Sequence, residues 1–161
     1  RRQQSGVCRG SFTAPRRSPH RTAPATGCTV SAMFESLDFM YVPCGDVHAA
    51  AAHHVHALGA AVLWTVRAMD TTVAALRLSS TGPQILLSGH LDGDLPVLVY
   101  RVADYQQTVQ ALYDRGVTGI RELEIPHGPC AAFRLDDGQR YAVYELTRPD
   151  AGDHLAGRFD P

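Results

Sequence analysis

The sequence predicts an α+β domain built from two tandem βαβββ modules. Three observations predict it. Runs of β-branched and aromatic residues alternate with two segments of 3.6-residue periodicity. Each of those segments is preceded by an aspartate suited to capping a helix, Asp46 and Asp104, 58 positions apart. After each helical segment come three further strand-like runs, so that one unit is repeated along the chain.

In the first module, Leu37 to Val42 reads as a strand, and Asp46 then offers a side-chain acceptor to the free amides of a helix over Val47 to Leu58. The inward stripe of that helix is Val47, Ala50, Ala51, His54 and Leu58, and Gly59 supplies its left-handed stop. His53 and His56 fall three apart on the outer side, where solvated histidines are expected. Strands follow at Ala61 to Ala68, Thr72 to Ser79 and Gln84 to His90, with turns at Met69-Asp70 and Ser80 to Pro83. In the second module Pro96 to Val102 is the first strand and Tyr105 to Arg115 the helix, with Tyr105, Val109, Leu112 and Tyr113 on one face and Gly116 at its end. Ile120 to Ile125, Cys130 to Leu135 and Tyr141 to Leu146 complete it, the last two joined by the hairpin signal Asp136-Asp137-Gly138. Pro126 and Pro129 bracket His127-Gly128 and require a bend, because proline gives no ladder donor.

Composition sets limits on function. A chain of 161 residues, 45% hydrophobic, suits one globular domain with a substantial core. No apolar run approaches the 18 or so residues of a membrane span. There is no lysine, which excludes Schiff-base chemistry. Residues 1–32 carry six arginines and no acid, whereas the remaining nine arginines face all 16 acids, a net of −7. So acidic a body is a poor nucleic-acid binder. The Arg-, Ser- and Pro-rich segment 1–32 lacks hydrophobic periodicity and is expected to be disordered, with Met33 as a candidate true start and a transit peptide as the alternative. Cys8, Cys28, Cys44 and Cys130 show no CxxC spacing, which suits reduced thiols and a cytoplasmic protein.

The paired modules, with an Asp-capped helix ending Leu58-Gly59 and a second copy closing on Asp137-Gly138 and then Glu145-Leu146, resemble the vicinal oxygen chelate superfamily. This is the superfamily of glyoxalase I, extradiol dioxygenases and the bleomycin and fosfomycin resistance proteins. The resemblance covers roughly 115 of the 161 residues, and the stretch from Glu124 to Pro149 is similar to bacterial glyoxalase-like proteins of unassigned function. It implies one domain over 33–149, with modules at 33–92 and 95–149, whose strands curl into a cup-shaped mixed sheet (the glyoxalase/bleomycin resistance fold). It also implies a homodimer. The tail 150–161 either caps the cup or is disordered.

In metal-using members, side chains from the first and last strands hold a divalent ion such as Zn, Ni, Mn or Fe in the cup. Carried over from the capping aspartates, the first-strand positions are Phe39 and Val97, which cannot bind a metal. On the last strands Glu145 matches the closing acid, and His90 or Ser88 is its counterpart. Two protein ligands hold a catalytic ion poorly. Strand alternation places Phe39, Tyr41, Val97, Val99, Arg101, Tyr141, Val143 and Glu145 on one face, joined by Trp64 and Phe133; His127 is a further polar candidate in its loop. Such a surface either suits a flat organic ligand or has its aromatics simply filling the cup. Two functions follow as expectations. One is a metal-independent small-molecule binder, resembling resistance proteins that sequester aromatic antibiotics. The other is a metal-dependent lyase, isomerase or dioxygenase using His90 and Glu145, the latter also a candidate catalytic acid or base.

Overall fold

A computed structural model of the chain describes residues 32–161 apart from Met69; the extension expected over 1–32 lies, but for Ala32, outside the described residues. The first module comprises β1 (Ser36–Pro43), α1 (Val47–Leu58), β2 (Ala61–Ala68), β3 (Thr71–Arg77) and β4 (Gln84–Ser88). The second comprises β5 (Val97–Val102), α2 (Tyr105–Asp114), β6 (Arg121–Ile125), β7 (Gly128–Arg134) and β8 (Arg140–Glu145). All eight strands form one curved sheet in the order β2-β3-β4-β1-β5-β8-β7-β6. Read outward from the centre, each module repeats the other. The equivalent strands β1 and β5 pair antiparallel across the junction, and each is flanked by a parallel partner, β4 or β8. None of the described helices is long and apolar enough to cross a membrane.

The caps act as their residue types dictate. Asp46 accepts from the Ala49 amide at 2.9 Å and Asp104 from the Gln107 amide at 2.8 Å, and Gly59 closes α1 in the left-handed region at φ 67°. Replacing Asp104 with Ala is therefore expected to lower unfolding stability by about 1 kcal/mol, read as a reduced urea midpoint with an unchanged slope.

Each helix covers the outer face of its own half. Under α1, Val47 and Ala51 pack on Ala74, Leu76 and Leu87. Under α2, Tyr105, Val109 and Leu112 pack on Val102, Ala131, Phe133 and Val143. Leu76, Leu87 and Val143 are wholly removed from solvent, each contributing roughly 1.5–3 kcal/mol by burial. His54, on the inward stripe, is half-buried with Nδ1 2.8 Å from the Ala50 carbonyl oxygen, whereas His53 and His56 are exposed. A third cluster, Val99, Cys130, Ala142 and Tyr144 with Phe39 and Val97, lies on the opposite, inner face.

This third cluster corrects the expected face of β8. In the parallel β5–β8 register Val99 stands beside Ala142 and Arg101 beside Tyr144, so Ala142 and Tyr144 point inward. Tyr141, Val143 and Glu145 point to the helix side. Phe133, paired with Tyr141 across β7 and β8, goes with them, and the two rings stack at 5.7 Å. A shift of one residue exchanges the faces of a strand. Here Tyr-Ala-Val-Tyr buries apolar side chains on both faces, so no polar–apolar alternation marks which face is which.

Candidate functional site

The inner face of the sheet encloses a cavity of about 680 Å³. Both modules contribute to its wall: Phe39 and Tyr41 from β1, Trp64 from β2, Gln84 and Leu86 from β4, Val97 and Val99 from β5, Cys130 from β7 and Ala142 from β8. The wall is closed by the C-terminal segment. After β8 the chain turns into a 3₁₀ helix, Pro149–Leu155, and Pro149, Ala151, Gly152, Asp153, Leu155 and Ala156 all line the cavity. The tail thus lies over the cup as a strap.

Both ends of the strap are tied down. At one end the His127 carbonyl accepts from the amides of Thr147 and Arg148, each at 3.0 Å, and the Arg148 guanidinium donates to the Ile125 carbonyl at 2.6 Å and pairs with Glu124. At the other end the tail runs parallel to the edge strand β2 and bridges it at Thr65 and Phe159. There the Gly157 amide donates to Leu63, the Thr65 amide to Arg158 and the Asp160 amide to Thr65. The Asp160 carboxylate accepts from the Arg67 amide at 3.0 Å and from the Arg158 guanidinium at 2.6 and 2.8 Å. These contacts hold the Asp160 carboxyl below the usual carboxylate range, the Arg158 hydrogen bond foremost. They also cover the backbone edge that β2 would otherwise expose.

His127 occupies the two-residue turn between β6 and β7 and sits at the cavity wall. Its ring lies 5.3 Å from that of Phe39 and 6.0 Å from that of Tyr144. A Cβ at Gly152 would stand 3.6 Å from its Nε2, so the strap passes over the imidazole at its smallest residue. Burial lowers the His127 pKa; the charge of Asp38 opposes that shift and the charge of Arg148 adds to it. A histidine whose folded pKa lies below its unfolded value binds fewer protons when folded. Its stabilising contribution is therefore complete above about pH 6.5 and is lost as pH falls below that. We expect the parent to lose stability between pH 7 and 5 more steeply than a His127→Gln variant in parallel urea titrations. Equal slopes would remove the imidazole as the cause.

At one end of the inner face a β-bulge brings in a residue not singled out from the sequence. The β1–β5 register shifts between Leu37 and Phe39, leaving Asp38 as the extra residue. Asp38 accepts from the Tyr144 hydroxyl and from Ser36 Oγ, both at 2.6 Å. Arg101 Nε lies 3.7 Å from Asp38 and 3.2 Å from Glu35. Arg101 is thus on the inner-face register but beyond the cavity, ion-paired with two carboxylates although its buried Nε makes no hydrogen bond to either. Tyr144 is pushed to a high pKa by burial, reinforced by its bond to Asp38. The Cys130 thiol, also on the cup wall, is pushed up to about 11, chiefly by burial.

Of the sequence-expected ligand residues, Phe39, Tyr41, Trp64 and His127 meet at the cavity, while Arg101, Phe133 and Tyr141 do not. The two expected metal ligands do not meet each other. Glu145 projects outward, where its Oε2 accepts from the Tyr105 amide at 2.9 Å and closes the start of α2. Its strand register sends it there, away from the cup. His90 lies past the end of β4 at the cavity rim, exposed, with Nδ1 2.8 Å from Ser88 Oγ and 3.2 Å from Thr71 Oγ1, its ring edge-on to Tyr41. Ser88, the alternative, is fully buried. The inward positions on the four central strands that face the cup carry Phe39, Tyr41, Gln84, Leu86, Val97, Val99, Ala142 and Tyr144. None is an imidazole or carboxylate, and among the described residues no group of three or more His, Cys, Asp or Glu could hold a metal ion. The residues of the cup therefore do not fit the divalent ion that the resemblance implies.

No protein-family model matches the sequence, and no curated protein matches it either. Solved structures do resemble it. Methylmalonyl-CoA epimerase from Mycobacterium tuberculosis aligns with a TM-score of 0.60 at 18% identity, covering 76% of this chain and 95% of that one. A Streptomyces coelicolor methylmalonyl-CoA epimerase in complex with 2-nitronate-propionyl-CoA gives 0.58 at 14% identity, covering 71% and 99%. A hypothetical protein from Bacillus halodurans gives 0.55 at 14%, covering 70% and 95%. At such identities the likeness is one of architecture: this chain has the vicinal oxygen chelate fold, two βαβββ modules in one curved eight-stranded sheet.

Proposed function

We propose that this protein is a metal-independent small-molecule binding protein whose cup takes an aromatic or antibiotic-like ligand. The observation that carries the reading is the chemistry of the cavity wall. A volume of about 680 Å³ is lined mainly by aromatic and aliphatic side chains at the inward strand positions, with Gln84 among them, and partly covered by an anchored strap. A cavity of that size and character encloses a drug-sized organic molecule. The neighbours named as epimerases, one of them in complex with methylmalonyl-CoA, favour a second reading, an isomerase or related lyase or dioxygenase using a metal at His90. Against it stand the outward Glu145 and the lack of any arginine among the described residues of the cavity wall, which leaves an acyl-CoA phosphate without a partner there.

Trp64 is the one tryptophan and lines the cavity, so its fluorescence reports occupancy. Aromatic ligands are expected to quench it in protein stripped of metal, with no gain on adding Zn, Ni, Mn or Fe(II). Stoichiometric metal by mass spectrometry, lost in both His90→Ala and Glu145→Ala, would reverse the order of the two readings. Two further elements belong to the proposal. The free thiols Cys44 and Cys130 suit a reducing, cytoplasmic setting, and pairing of two copies through sheet edges or faces is to be read by sedimentation.

A further inference from the structure

Resting on the binding reading above, we propose that the ligand is an uncharged aromatic molecule bearing a hydroxyl or carbonyl group, which Tyr41 and His127 read by hydrogen bonding. The polar side chains reaching into the cup include Tyr41, Trp64, Gln84 and His127. None of the four has a side-chain hydrogen bond to another described residue, and none presents a fully buried polar atom left without a partner. Their polar atoms are thus open to whatever fills the cavity. Elsewhere on the same face polar groups are already committed, Tyr144 to Asp38 and Ser88 to His90. Burial keeps the two named groups uncharged, lowering the His127 pKa and raising that of Tyr41.

Charge in the ligand would go unanswered. No arginine lines the cavity among the described residues and the chain has no lysine, so a carboxylate or phosphate would leave water without meeting a cation. Among the described residues the one acid on the wall, Asp153, is exposed on the strap, where solvent screening leaves it little hold on an ammonium. A neutral ring system loses nothing of that kind. It gains burial against Phe39 and Trp64 and satisfies donors and acceptors that are otherwise idle.

Equilibrium dialysis of the whole chain at pH 7 against 2-naphthol, naphthalene, 2-naphthoate and 2-naphthylmethylammonium tests this. The naphthol is expected to bind roughly fivefold to tenfold more tightly than naphthalene, the worth of one net hydrogen bond, and at least about 100-fold more tightly than either ion. In a Tyr41→Phe/His127→Phe double variant that folds as judged by circular dichroism, the naphthol-to-naphthalene ratio should fall to near one; Tyr41→Phe alone serves if the double variant does not fold. An ion binding as well as naphthol would overturn the inference while leaving a binding cup in place. An unchanged ratio in the variants would overturn the roles of Tyr41 and His127. Failure of all four probes would instead strike at the binding reading itself.

Discussion

Gly128→Ala is expected to destabilise the fold by roughly 3–5 kcal/mol, at the upper end of single substitutions, seen as a large drop in the urea midpoint. Gly128 opens β7 at φ 149°, in a region closed to residues with a Cβ. A Cβ built there would stand 2.2 Å from the Glu145 carbonyl oxygen and 2.7 Å from Thr147 Oγ1. The backbone at Glu145 cannot yield cheaply, because Glu145 ends β8 and its carbonyl already accepts from the Thr147 amide, which also donates to His127. Gly59→Ala is the control. Its φ of 67° lies in the left-handed region that a residue with a Cβ reaches at modest cost, and nothing stands within 4 Å of the added carbon, so only the backbone preference is lost, about 1 kcal/mol. Similar losses at the two sites would show that the close approach at Gly128 is not what the glycine serves.

The contrast between those two glycines also shows what was legible in the sequence. Gly59 was readable because the signal is local: a glycine just past an apolar periodic run ends a helix. The same holds for Asp46, Asp104 and the Asp137-Gly138 hairpin, and together they made the module repeat and the fold visible. Gly128 was readable only as part of a bend, since its contacts are to a strand edge 17 or more residues away. The cup suffered the same limit. Phe39, Tyr41, Trp64 and His127 were reachable because their strands alternate or their loop is marked by prolines. Glu145 was misplaced because Tyr-Ala-Val-Tyr buries both faces, and matching the closing Glu-Leu by likeness chose the wrong one. Asp38 was missed because a bulge is a property of two paired strands and leaves no mark in one of them.

Removing residues 149–161 should weaken binding of an aromatic ligand roughly tenfold to hundredfold, while all eight strands and both α-helices remain. The strap contributes Pro149, Ala151, Gly152, Leu155 and Ala156 to the cavity wall. If a bound molecule buries about 50–100 Å² of apolar surface against them, the loss is roughly 1.3–2.5 kcal/mol. The strap covers one side of the cup, so release of either anchor would widen the opening through which a ligand exchanges. The anchor at β2 is the one that a single carboxylate knits together: beside three backbone hydrogen bonds, the half-buried Asp160 side chain holds both the Arg67 amide and the Arg158 guanidinium. Asp160→Asn should therefore speed ligand dissociation in stopped-flow displacement while leaving the urea midpoint nearly unchanged. The carboxyl of Asp160 is held below its ordinary value in the folded chain, so its contribution is present above about pH 4 and is lost as pH falls through the folded value. Dissociation from the parent should accelerate over that acid range, and the Asn variant should show no such step. If the truncated chain binds and releases ligand as the parent does, the strap is packing for the β2 edge and has no part in holding the cup closed.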